Sequence, residues 1–343
     1  MLSVVAALYL LLRRHNAFVP EVNPPARLRR WAAAFLMACA LSHVLWLFYA
    51  YHLTPTVYLI VCDLDLLILF PSITGIMVSM LQDRYRPVWP MLVALIPAFI
   101  LSVLCIIRGD EELFLPLSIY VNALYGLLIL YMFLAVRNYG RWLRDNYADL
   151  ENKEVWYSFI ILALFLLFFV IYGATEGSPV LMYLLQIDGI IIAGLLLWRV
   201  ETLQQLSENT MAEVEHEEQT RKTSAPPAVS TKIGPLLKKR CEDKRLYLQN
   251  DLTLAQLAAV IGTNRYYLSQ YFAQQGISYN AYINGLRVGH FIRLYQKAVA
   301  EKRIFTAQQL AFESGFHSYS TFSATFKQNI GMTVTQWMRS SED

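Results

Sequence analysis

The chain changes character once along its length. Up to about residue 200, apolar residues run in long blocks with short polar breaks; from 231 onward they recur at helical spacing among charged positions. A block of roughly 20 apolar residues, rising 1.5 Å per residue, crosses the ~30 Å hydrocarbon layer of a bilayer as a helix. Such blocks lie at Trp31–Leu53, Val57–Leu81, Val88–Ile107, Leu113–Val136, Val155–Tyr172 and Val180–Trp198. Met1–Leu12 is shorter, about 18 Å as a helix, and reads as a short first span or a half-inserted anchor. No basic flank precedes it and no small-residue cleavage site follows, so it lacks the marks of a secretory signal. The pattern predicts an all-α fold, with a polytopic transmembrane helix bundle of about seven spans followed by a helical domain.

Composition supports the division. With 56% hydrophobic and 16% charged residues the average is too apolar for one soluble domain. The whole-chain charge of +3 conceals a basic C-terminal part, since Thr231–Asp343 carries 14 Lys/Arg against 7 Asp/Glu. The domains read as 1–199, a membrane bundle; 200–230, a linker; and 231–343, a basic domain. Lys and Arg also orient the bundle, because short basic loops stay in the cytoplasm. Arg13–Arg30 holds five, Gln82–Pro87 two and Arg137–Glu154 four, whereas the alternate set of loops holds only Arg108. This 11 to 1 bias places those three segments and the C-terminus inside, with the N-terminus outside for seven spans or inside for six.

Polar residues within the spans are expensive in hydrocarbon and face a bundle interior or a cavity. They are His43, Asp63, Asp65, Asn122, Gln186 and Asp188. Two uses stay open: an intramembrane ligand site drawing on His43, Asp63, Asp65, Asn122 and Asp188, or hydrogen bonds between helices. His43 and His52 are nine residues apart, on opposite helix faces, and form no metal or haem pair. Cys39, Cys62, Cys105 and Cys241 show neither a CxxC pair nor zinc spacing. There is no Ser-His-Asp signature, no phosphate-cradling glycine loop and no histidine box, so no enzyme, metal or cofactor is expected. A transporter or membrane enzyme with a regulatory C-terminal domain is the rival reading, resting on the intramembrane carboxylates alone.

In the linker, Val200–Glu218 places Leu203, Leu206, Met211 and Val214 at helical spacing. This fits either a helix that pairs with its own copy or a solvated acidic spacer. Thr223–Ser230 (TSAPPAVS) is a flexible or extended linker by composition. Beyond it, Ile233–Gln249 reads as an opening helix, Thr253–Val260 as a short helix stopped at Gly262, and Arg265–Gln274 as a helix capped by Asn264. A long helix runs from Tyr279 to about Val299. A second short helix, Thr306–Ser314, then leads through Gly315 to a helix capped by Ser318 and running to Gln328.

The two short-helix units are copies of one pattern. LAAVIGTNRYYLSQYFAQQG (Leu257–Gly276) is echoed by LAFESGFHSYSTFSATFKQNIG (Leu310–Gly331), each with Leu-Ala, a glycine, an apolar pair and a second glycine. With the LTLAQLA opening, Tyr267-Leu268, Phe272, Gly276, Tyr282-Ile283 and Arg287, these residues make Ile233–Met338 resemble the DNA-binding domain of the AraC/XylS family of bacterial transcription regulators.

The resemblance implies seven helices, two helix-turn-helix units joined by a long helix, and recognition helices set into successive major-groove segments of double-stranded promoter DNA. It carries base and phosphate contacts to Arg265, Tyr266, Ser269 and Gln270 in the first unit and to Tyr319, Ser320, Ser323 and Ala324 in the second. Asn264, Ser318 and Lys327 would grip the backbone. It further implies RNA polymerase as a partner; joined to a membrane bundle, such a domain leads to the expectation of a signal ligand of unknown identity and, as a sensor, residence of the bundle in the bacterial cytoplasmic (inner) membrane, while pairing as a homodimer stays open. Departures from the family pattern are Gln270 and Ala324 in place of basic residues, Gly331-Met332-Thr333-Val334 for Gly-x-Thr-Pro, Trp337-Met338 for Tyr-Arg, and Phe291 for a small alanine.

Overall fold

The computed structural model describes residues 2–13, 25–108, 111–151, 153–164, 179–203, 205–206 and 230–341. These are helical with no β-strand among them, and the chain divides into two compact units. One comprises Met1–Tyr139 with Val155–Leu206; the other comprises Gly140–Glu154 with Ser207–Asp343.

In the first unit, α1 (Leu2–Leu12), α2 (Ala26–Tyr51) and α3 (Pro55–Met80) are followed by α4 (Trp89–Val93), α5 (Ile96–Arg108) and α6 (Phe114–Asn146). Helical residues 156–164 (α7) and Pro179–Thr202 (α8) complete it. Among the described residues, four stretches are long and apolar enough to cross a membrane: Ala26–Tyr51, Pro55–Met80, Trp89–Arg108 and Phe114–Asn146. The expected span Val180–Trp198 lies within α8. Of Val155–Tyr172, the part beyond 164 lies outside the described residues, as do residues 207–229 of the linker.

Helix α3 is the enclosed centre of this unit. Thr54 opens it by accepting from Val57 N–H, and Pro55 follows at the first helical position, where a missing N–H is harmless. Pro71 removes a donor from the interior ladder, and nearby Ser72 and Thr74 turn their hydroxyls onto the Leu69 and Phe70 carbonyls. By contrast α5 and α6 expose Ile96, Ile100, Val103, Leu127, Leu130 and Phe133. Water penalises such a surface; lipid would cover it.

The second unit contains seven α-helices among the described residues: α9 (Ser230–Leu237), α10 (Leu254–Ile261), α11 (Arg265–Gln274), α12 (Tyr279–Ala300), α13 (Ala307–Glu313), α14 (Tyr319–Ile330) and α15 (Val334–Ser340). Helix α12 is shared by two cores. Its first half puts Tyr279 and Ile283 against Leu254, Leu257, Leu268 and Phe272; its second half puts Val288, Phe291 and Tyr295 against Leu310, Phe322 and Phe326.

The opening helix expected over Ile233–Gln249 is instead broken. After α9 come a π-turn (Lys238–Glu242), Arg245 in the left-handed region at φ 54°, and a 3₁₀ turn (Leu246–Leu248). Beyond the break, Arg287, 1% exposed, donates through Nε and Nη2 to the Tyr247 and Gln249 carbonyls at 2.8 and 2.9 Å. Presented by the turns after the break, these two carbonyls meet a buried guanidinium that would be costly without partners.

Phe291, a departure from the family pattern, is fully buried with its ring centroid 4.5 Å from Phe322, 5.6 Å from Phe326 and 6.4 Å from Trp337. The large residue at 291 and the tryptophan at 337 therefore belong to one aromatic core. Phe291→Ala is expected to lower the stability of this subdomain by about 3–5 kcal/mol, read as lost hydrogen-exchange protection in α12 and α14 of the full-length protein. His290 gives a second expectation. Burial, then Arg293 and Arg245, hold its imidazole below the ordinary value of 6.5, so the folded unit disfavours its protonation. Stability is full above that value and declines as pH falls through it, and His290→Gln should flatten this part of a urea-midpoint profile taken from pH about 7.5 to about 5.

Candidate nucleic-acid interface

Each helix-turn-helix unit is built by local rules. In the first, Thr253 caps α10 and forms a reciprocal capping box with Gln256. The helix ends where Gly262 turns left-handed at φ 80°, its N–H and that of Thr263 closing on the Ala258 carbonyl, while Arg240 Nη1 donates to the Val260 carbonyl at 2.8 Å. Asn264 then caps α11 by accepting from Tyr267 N–H at 2.9 Å.

The second unit repeats this with Thr306 as cap of α13 and Ser318 as cap of α14, accepting from Gln309 N–H and Thr321 N–H. Its turn glycine, Gly315, has φ 89°, and a Cβ there would stand 2.8 Å from Leu248 Cα. Both the conformation and the close approach require glycine.

The caps fix which faces remain outward. With Leu268 and Phe272 buried, α11 turns Gln270 to solvent and leaves Arg265, Tyr266 and Ser269 half-buried; Gln270 Nε2 lies 3.3 Å from Tyr266 Oη. With Phe322 and Phe326 buried, α14 exposes Ser320, Ala324 and Lys327 and leaves Ser323 half-buried. Tyr319 differs, since its ring packs against the second core beside Phe322 at 5.7 Å. Ser318 Oγ also lies 3.0 Å from Ser320 Oγ and from Thr321 Oγ1. Outward amides, hydroxyls and a lysine can contact base edges and phosphates.

Sequence reasoning did not single out what adjoins α11. Helix α6 runs beyond its expected span to Asn146, and Asn146 Oδ1 accepts from Arg265 Nε at 2.8 Å. Asp145 lines a cleft with Ser269, Phe272 and Tyr279. No periodicity marks these residues; they stand in a polar stretch that reads as an inter-span loop.

The expected intramembrane residues are placed separately. Asp65, 2% exposed, accepts from Trp46 Nε1 at 2.6 Å and so joins α3 to α2. Asp63 is half-buried on the same helix, His43 is exposed on α2, and Asn122 donates to the Ser118 carbonyl of its own helix α6 at 2.9 Å. Asp188 lies in α8, and its side chain is outside the described residues.

Residues 257–340 match the family described as a helix-turn-helix domain. The C-terminal domain of this chain is an AraC-type helix-turn-helix domain. Two curated relatives carry the name TCP pilus virulence regulatory protein, from a classical and an El Tor strain of Vibrio cholerae serotype O1. Each is 27% identical over 84 residues, covering 24% of this chain and 29% of the relative, so the match spans less than a third of their length. No solved structure gives a significant match.

Gly315→Ala is expected to dislodge the second unit from Leu248 and lower its stability by about 1–3 kcal/mol. A loss of hydrogen-exchange protection confined to α13 and α14, with α10 and α11 unchanged, would show it.

Proposed function

We propose that the chain is a membrane-embedded transcription regulator whose C-terminal domain reads promoter DNA from the cytoplasmic face of a bacterial inner membrane while the helical bundle receives a signal. The observation that carries this reading is the pair of capped, outward-facing recognition helices in a chain with four helices long enough to cross a bilayer. Arg265, Tyr266, Ser269 and Gln270 on α11, and Tyr319, Ser320 and Ser323 on α14, supply base and phosphate contacts. Asn264, Ser318 and Lys327 position the backbone. Tyr319 contributes through the aromatic core that sets the helix as well as through its hydroxyl. Phosphate contacts provide most of the affinity and make it salt-dependent. The name of the Vibrio relatives supports a regulatory role.

A signal acts by favouring one arrangement of the bundle over another through differential affinity. RNA polymerase is the downstream partner, and pairing of two chains would let two domains occupy repeated sites.

The test is genome-wide crosslinking of the full-length protein in its native membrane. Gln270 and Ser320 are exposed, so Gln270→Ala/Ser320→Ala leaves the cores intact. Discrete bound sites that vanish in this variant are the expected outcome, and equal occupancy in both proteins would refute sequence reading through these faces. On a recovered site, Lys327→Ala should weaken binding across sequences and reduce the slope of log affinity against log salt by about 1.

A further inference from the structure

Residues Gly140–Glu154, which the sequence places between two apolar blocks, pack as part of the DNA-binding unit. Ala148 is 1% exposed within the first core, among Leu252, Leu254, Leu257 and Ile283. Its N–H donates to the Leu252 carbonyl at 3.2 Å, and Tyr147 pairs antiparallel with Thr253. Asn280 Nδ2 donates to the Ala148 carbonyl at 2.7 Å, and Lys153 Nζ, 3% exposed, meets Asp251 at 3.0 Å. This anchorage does not use the recognition faces, but its flanks reach them. Asn146 holds the Arg265 guanidinium, Asp145 lines the cleft beside Ser269, and Glu151 Oε2 lies 3.5 Å from Thr321 Oγ1 on α14.

Arg265 and Ser269 are two of the positions assigned to DNA, so the segment and a DNA backbone compete for one face. The competition is also electrostatic. Asp145, Asp149, Glu151 and Glu154 put four carboxylates into ten residues at a surface that must accept phosphates.

We propose that residues 140–154 form an autoinhibitory clamp: docked, they occupy Arg265 and the Ser269 side of α11, and DNA binds when they withdraw. The inference rests on the DNA-reading role proposed above and names the regulation of that same site. Residues 140–146 of the clamp are the last turns of α6.

The experiment uses full-length protein in lipid nanodiscs and a random-sequence duplex pool at low salt. Tyr147→Cys/Thr253→Cys joins the clamp to the domain at the antiparallel pair, where facing residues lie close enough for a disulfide. The native Cys241 is buried with its thiol pushed up to about 12 and stays out of exchange. Oxidised and reduced forms of one protein are compared, so any effect of losing the Thr253 cap cancels.

Expected are spontaneous disulfide formation, DNA affinity at least tenfold lower when oxidised than when reduced, and affinity above that of the unmodified chain in Asn146→Ala/Asn280→Ala, which removes the Asn146 hydrogen bond to Arg265 and loosens the Ala148 anchor. A disulfide that does not form, or one that forms and leaves affinity unchanged, overturns the clamp while leaving DNA binding intact. Absence of binding in every form, released variant included, overturns the DNA-reading role itself and the clamp with it.

Discussion

A single buried cation organises the C-terminal unit. Arg287 sits midway along α12 with almost no exposure, and a charge in that position is tolerable only when its donors are met. The Tyr247 and Gln249 carbonyls meet them, Asn284 Oδ1 approaches at 3.4 Å, and the Phe316 ring stands 5.7 Å from the guanidinium carbon. Burial lowers the guanidinium's proton affinity, and Asp149 acts against that shift. Four parts of the sequence therefore converge on one group: the segment after the π-turn, the long helix, the turn of the second helix-turn-helix unit and the 140–154 segment. The two recognition helices keep a fixed relation because both of their cores are built on the helix that carries this residue.

The elements legible in the sequence are those set by neighbouring residues. Asn264 and Ser318 are caps because each stands before a helical apolar pattern and accepts from an amide three residues on, and Thr253 and Thr306, which the sequence reads as the first residues of their helices, take the same role one position outside them. Helix α11 has the boundaries its pattern predicts, and α14 runs two residues past its expected end to reach Gly331. The turns after α9 are illegible in the sequence because the carbonyls they present meet Arg287, some 40 residues away. Phe291 and Trp337 looked like separate departures, yet they are one packing solution, each filling space the other requires.

The candidate site divides in the same way. Which positions of α11 and α14 face outward follows from burying Leu268 with Phe272 and Phe322 with Phe326, a matter of helical period. That Arg265 has an engaged guanidinium does not follow, because its partner comes from 119 residues earlier in the chain. The anchorage of residues 140–154 runs largely through backbone groups of Tyr147 and Ala148. Backbone hydrogen bonds are available to every residue type and so leave no signature in composition or spacing.

The insertion of Ala148 into the first core also bears on how the chain is laid into a bilayer. A core that draws one of its members from residue 148 and the rest from beyond residue 230 can close only if both stretches emerge on the same side. Any membrane crossed between them must then be crossed an even number of times, which is the arrangement the distribution of Lys and Arg leads one to expect. Docked, Ala148 covers the apolar face formed by Leu252, Leu254 and Ile283, so withdrawal of the segment would bare that face to water and carry a hydrophobic cost.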